Sequence, residues 1–181
     1  TGNAGKINVV TDSLNLLTGS QLYSSSLAKG NGGNVNVRAK NTVSFDSAGK
    51  NTSTSGIISS IGPEGEGRAG DINITSGSFS IINGAQLNSI TFGQGDAGNI
   101  TINASDAASF DGANAGASGI LSAVTPSGVG NAGDINITAP CVSVTNGAQL
   151  NALTRGRGDA GNVNINARDK VSIDGENPIS I

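Results

Sequence analysis

The chain has 181 residues, of which 28 are Gly, four Phe and one Tyr, with no Trp, Met or His and a net charge of -3. Charged residues make up only 13 %, low for a globular enzyme, and without histidine a serine or cysteine nucleophile lacks its usual base. The ten basic residues are scattered without aromatic interleaving, which argues against nucleic acid, and no apolar run reaches the roughly 18 residues of a membrane span.

Three strings return 63 residues on: DINIT of 71–75 at 134–138, NGAQLN of 83–88 at 146–151, and GDAGN of 95–99 at 158–162. A period this long marks a stacked architecture, in which each unit buries its apolar face against its neighbours. Within it, a Gly followed by a polar residue and alternating apolar residues opens a turn of chain at Gly5, Gly33, Gly70, Gly98, Gly133 and Gly161, with spacings of 28, 37, 28, 35 and 28. Short and long coils therefore alternate.

Each coil carries three segments of period-two alternation, the pattern of strands. The first begins with Ile7 and Val9, and recurs at Val35 and Val37, Ile72 and Ile74, Ile100 and Ile102, Ile135 and Ile137, and Val163 and Ile165. The second begins with Leu14 and Leu16 and recurs through Val43 and Phe45, Phe79 and Ile81, Ala108 and Phe110, Val142 and Val144, to Val171 and Ile173. A third column aligns Leu22, Ile58, Leu87, Leu121 and Leu150. Outward positions align too: Asn8, Asn36, Asn73, Thr101, Asn136 and Asn164 on the first segment, and Asn15, Ser44, Ser80, Ser109, Ser143 and Ser172 on the second.

Three strands per coil, each returning to one register a coil later, predict an all-β parallel β-helix of three parallel sheets, right-handed by crossover chirality. Residues 1–181 form a single repeat segment of five to six coils, a rod of roughly 25 to 28 Å at the strand spacing. The residue after each opening Gly runs Lys6, Asn34, Asp71, Asn99, Asp134, Asn162, so a neutral Asn separates charges that would otherwise stack about 4.8 Å apart. The column Leu17, Asp46, Ile82, Asp111, Thr145, Asp174 follows the same rule. The first coil begins at once, without a charged and apolar leader, and the last breaks off near Pro178; open ends invite edge pairing, so a segment of a longer array, or one capped by partner chains, is expected.

The strings AGDINIT, SVTNGAQLNALT and GRGDAGNVNINA at 132–138, 143–154 and 156–167 resemble the repeat region of filamentous-haemagglutinin-like exoproteins of the two-partner secretion route, particularly the cyanobacterial type. The resemblance covers nearly the whole chain. It implies a right-handed β-helical rod, export through an outer-membrane partner pore, and a role in adhesion or surface structure.

Several sharper motifs have plainer readings. Arg157-Gly158-Asp159 spells a tripeptide that cell-surface receptors read, but the equivalent turn one repeat earlier is Gln94-Gly95-Asp96. GQGDAGN lacks the tandem nine-residue step of calcium repeats. Asp46, Asp111 and Asp174 stand two coils apart, about 9.5 Å, near the upper limit for an inverting glycosidase, yet Asp111-Gly112 and Asp174-Gly175 are ordinary turn dipeptides. The Asn-x-Ser/Thr sequons at Asn73, Asn99 and Asn136 fall in strand columns, with Asn51 and Asn103 completing the set, and stacked Asn amides bond along a rod axis. Cys141, the one cysteine, excludes an internal disulfide and is expected to be small and partly buried, in the position Ser78 holds one repeat earlier.

No catalytic, cofactor or metal residues are therefore assigned. The expected function is a non-enzymatic, secreted or cell-surface structural rod or adhesin segment, touching glycan or protein partners or further copies of itself through its loops, 48–55, 64–68, 113–118 and 125–131. The alternatives are a polysaccharide-binding or polysaccharide-cleaving β-helix, and an ice-binding β-helix, which a missing Thr-x-Thr array disfavours.

Overall fold

A computed structural model describes residues 2–47, 54–112 and 118–175. Among these residues every regular element is a β-strand. Six long strands, β1 (Ile7–Leu17), β3 (Val35–Asp46), β5 (Ile72–Ile82), β7 (Ile100–Asp111), β9 (Ile135–Thr145) and β11 (Val163–Asp174), alternate along the chain with five shorter ones. The shorter strands are β2 (Gln21–Tyr23), β4 (Gly56–Ile61), β6 (Gln86–Thr91), β8 (Gly119–Val124) and β10 (Gln149–Thr154). The long strands pair in parallel in the order β1-β3-β5-β7-β9-β11, and the short ones in the order β10-β8-β6-β4-β2. This is the parallel β-helix expected from the repeat.

The sheet count differs from that expectation: there are two sheets, not three. The first and second segments of each coil are one continuous strand, because a register shift at the corner, as between Ser76 and Ser78 of β5, turns the chain without breaking the pairing on either side. In β5 the buried side chains are Ile72, Ile74 and Ser76 before the shift and Phe79 and Ile81 after it, so inward parity changes at Gly77. The long strands alternate between 11 and 12 residues, and the coils with the larger spacing take the extra residue at this corner. The third side of the coil is reduced to a column of single bridges, Lys29 to Glu66 to Gln94 to Val129 to Arg157. Glycines at positive φ follow these residues, for example Gly95 at 124° and Gly158 at 134°, and end each extended stretch after one pair.

The inward columns form one core. Ile72, Ile74, Ile100, Ile102, Ile57 and Leu87 are fully buried. Phe79 lies between Phe45 and Phe110, each ring centroid 5.7 Å away. The three rings fill alternating columns: Phe45 and Phe110 pair with Ile81, whereas Phe79 pairs with Val43 and with the small Ala108. Large against small is how a narrow prism reaches close packing.

The third apolar column needs a correction of one residue. Leu22 pairs with Ile57, Leu87 with Ile57 and Ile120, and Leu150 with Ile120. Ile58 and Leu121 instead pair with Asn88, on the outer side. Both long coils carry two consecutive large apolar residues here, Ile57-Ile58 and Ile120-Leu121, so period-two reading alone leaves the register open by one. The pairing of Ile57 and Ile120 with the fully buried Leu87 decides it.

Candidate functional site

The serines form a device that the sequence pattern does not announce. The Ser89 hydroxyl accepts the Gly98 amide at 2.8 Å and donates to the Gly70 carbonyl at 3.2 Å. Ser59 does the same between Gly70 and Gly33, and Ser122 between Gly133 and Gly98. Each hydroxyl thus ties the five-stranded sheet to the glycines that open its own coil and the next. Those glycines have no room for a side chain: a Cβ on Gly98 would lie 2.2 Å from the Gly70 carbonyl oxygen.

Outside the core, Asn and Asp accept backbone protons from the next coil. The Asp71 amide donates to Asn34 Oδ1, Asn99 to Asp71, Asp134 to Asn99, and Asn162 to Asp134, at 2.8 to 3.0 Å. A second acceptor column links Asn3 to Asn31, Asn31 to Arg68, Asp96 to Asn131 and Asn131 to Asp159. The Asn amides stack as expected: Asn36 donates to Asn8 and Asn73 to Asn36, and after the break at Thr101, Asn164 donates to Asn136. Aspartate serves these columns as well as asparagine, so alternation of the two keeps the acceptor while separating the charge.

The residues singled out from the sequence fall into this framework. Arg157, Gly158 and Asp159 are exposed, but the Asp159 amide bonds to Asn131 and its carbonyl accepts from Thr154 and Ala132, so the tripeptide is locked into the coil stack. Asp46 Oδ1 accepts the Asn83 amide at 2.9 Å, and Asp111 Oδ1 that of Asn146 at 2.8 Å. Asn83 and Asn146 have positive φ, 54° and 52°, and each is followed by a Gly of positive φ, so these carboxylates brace tight turns of the neighbouring short coil. Cys141 holds the Ser78 column as expected, both pairing with Ala107, but it is exposed, because the corner turns it outward. Among the described residues no group of three metal-ligating side chains occurs.

Two of the four loops lie mainly outside the described residues, at 48–53 and 113–117. The other two are tight and laddered: Gly65 closes on Gly62 and Gly128 on Thr125, while Glu66 pairs with Lys29 at 2.9 Å and Arg68 with Asp71 at 2.7 Å. On the last coil the Arg168 guanidinium grips Asp169 and holds its carboxyl below the ordinary range, while Asp169 raises the guanidinium.

A groove of about 270 Å³ lies on the outer face of β6, β8 and β10. Ala123 and Leu121 form its floor. Ile90 and Leu153 stand beside Ala123 on the adjacent coils, and Asn88 and Asn151 stand beside Leu121. Arg155 lies at one end, and among the described residues no carboxylate lines the groove. Sequence reading missed this site because it depended on Leu121 facing outward. The chain matches no family model, no curated protein and no solved structure.

Proposed function

We propose that this chain is a non-enzymatic segment of a secreted, surface-displayed rod, serving as a stiff stalk in adhesion or matrix assembly. The observation that carries the reading is the continuity of coil-to-coil bonding, in which sheet pairing, serine hydroxyls and Asn/Asp acceptors all run along one axis through successive coils. Load along that axis is shared among parallel bonds in every coil interface. The engagement of Asp46 and Asp111 in turn bracing supports a structural rather than a hydrolytic role for that column. The resemblance of the repeat strings to two-partner-secreted exoproteins supports export and surface display, with an outer-membrane pore as secretion partner.

Single-molecule pulling on the 181-residue chain, tethered at its two ends, tests the stalk. Rupture at discrete force peaks, each releasing a whole number of coils, is expected. Gradual extension at low force, without peaks, contradicts the proposal.

A further inference from the structure

The groove on the five-stranded sheet has the chemistry of a site rather than of a gap. Among the described residues, three buried side-chain polar atoms have no hydrogen-bond partner, Ser76 Oγ, Asn88 Oδ1 and Thr125 Oγ1, and both Asn88 and Thr125 line this groove. Asn88 is 8 % exposed, and its amide nitrogen is already committed to Gln86. An orphaned amide oxygen in such a place is destabilising, and a bound donor relieves it.

The shape comes from the repeat. Coils on either side present closely similar strands, QLNSIT and QLNALT, so β6 and β10 raise matching walls, Ile90 opposite Leu153 and Asn88 opposite Asn151. The coil between them carries Ala123, which points outward yet is only 4 % exposed beneath those walls. The result is a trough along β8 with an apolar floor, acceptor amides, the ring of Phe92 on its border and Arg155 at its end.

A ligand for this trough must bring hydroxyl donors to Asn88 and Thr125, lay an apolar face on Leu121 and Ala123, and carry no positive charge toward Arg155. We infer that it binds a short stretch of glycan, an oligosaccharide whose hydroxyls supply the donors and whose C–H face covers the floor. A negatively charged uronate unit would in addition be held by Arg155. This rests on the stalk reading insofar as the rod face is displayed to glycans. A rod that resists force but binds no sugar would remove the site and leave the stalk.

Methyl spectra of the isotope-labelled wild-type chain, titrated with xylo-oligosaccharides, cello-oligosaccharides and oligogalacturonides to their solubility limits, test the assignment without any mutation. Shifts confined to Ile90, Leu121, Ala123 and Leu153, with the core methyls of Ile72 and Ile100 unmoved, are expected for at least one series. Ala123→Leu, which fills the trough, and Asn88→Ala, which removes the acceptor, should each weaken that binding about tenfold or more. Arg155→Ala should weaken only the oligogalacturonides. No shift with any of the three series overturns the proposal, as does unchanged affinity in a folded Ala123→Leu protein.

Discussion

The hydroxyl of Ser89 holds the amide of Gly98 at 2.8 Å, joining a strand of one coil to the glycine that opens the next. Ser89 is fully buried, and Gly98 is packed too closely against Gly70 for any side chain. The joint therefore excludes water, and its loss leaves a donor and an acceptor without partners.

Ser89→Ala is accordingly expected to cost about 1–3 kcal/mol, seen as a lower thermal midpoint with the strand signal intact in circular dichroism. The column itself offers the converse test, since Ser122 pairs with Ala152 in the following coil. Ala152→Ser restores the missing clip and should add about 0.5–1.5 kcal/mol of stability, seen as a higher midpoint. Midpoints unmoved by both changes would mean that the serines are incidental.

The register of the third column makes a second prediction. Ile57→Asp places a charge in the dry core beside Leu87 and should cost several kcal/mol or abolish folding. Ile58→Asp, on the outer side beside Asn88, should cost less than about 1 kcal/mol. Equal losses from the two would return the column to the alignment read from the sequence.

That slip shows where the sequence was legible and where it was not. Opening glycines, aliphatic columns and Asn ladders could be read because each demands one residue type at one recurring position. Ile57-Ile58 and Ile120-Leu121 offered two apolar candidates each, and only the pairing of the first of each with Leu87 fixes the choice. The merging of two expected strands into one was equally hidden, since a bulge at Gly77 and its counterparts carries no signal distinct from a turn. The groove depended on the register: it exists because Leu121 faces outward between Asn88 and Asn151.

The aromatic stack carries a third prediction. Phe79→Ala removes the middle ring between Phe45 and Phe110 and opens a cavity beside Ala108, at a cost of about 3–5 kcal/mol in chemical denaturation. Phe79→Leu should recover most of that loss. A Phe79→Ala protein as stable as the parent would show that the core is not close-packed there.

Acid provides a fourth. The sequence holds no histidine, the side chain whose ordinary charge change falls between pH 5 and 8, so the thermal midpoint should stay flat across that interval. Below it, the Asp169 carboxyl, held low by Arg168, contributes stability that is present above its unfolded pKa and lost as pH falls through the depressed folded value. Because the pair is fully exposed, Asp169→Asn should change the acid limb only slightly. A steep transition between pH 5 and 8 would contradict this reading.

Stacking of unequal coils in one register is the claim on which the rod, the groove and the stalk all depend. Nuclear Overhauser contacts among the side-chain methyls of the native chain test it most directly. Leu87 should show contacts to Ile57 one coil before and to Ile120 one coil after, and none to Ile58 or Leu121. Contacts from Leu87 to Ile58 and Leu121 in place of Ile57 and Ile120 would contradict it.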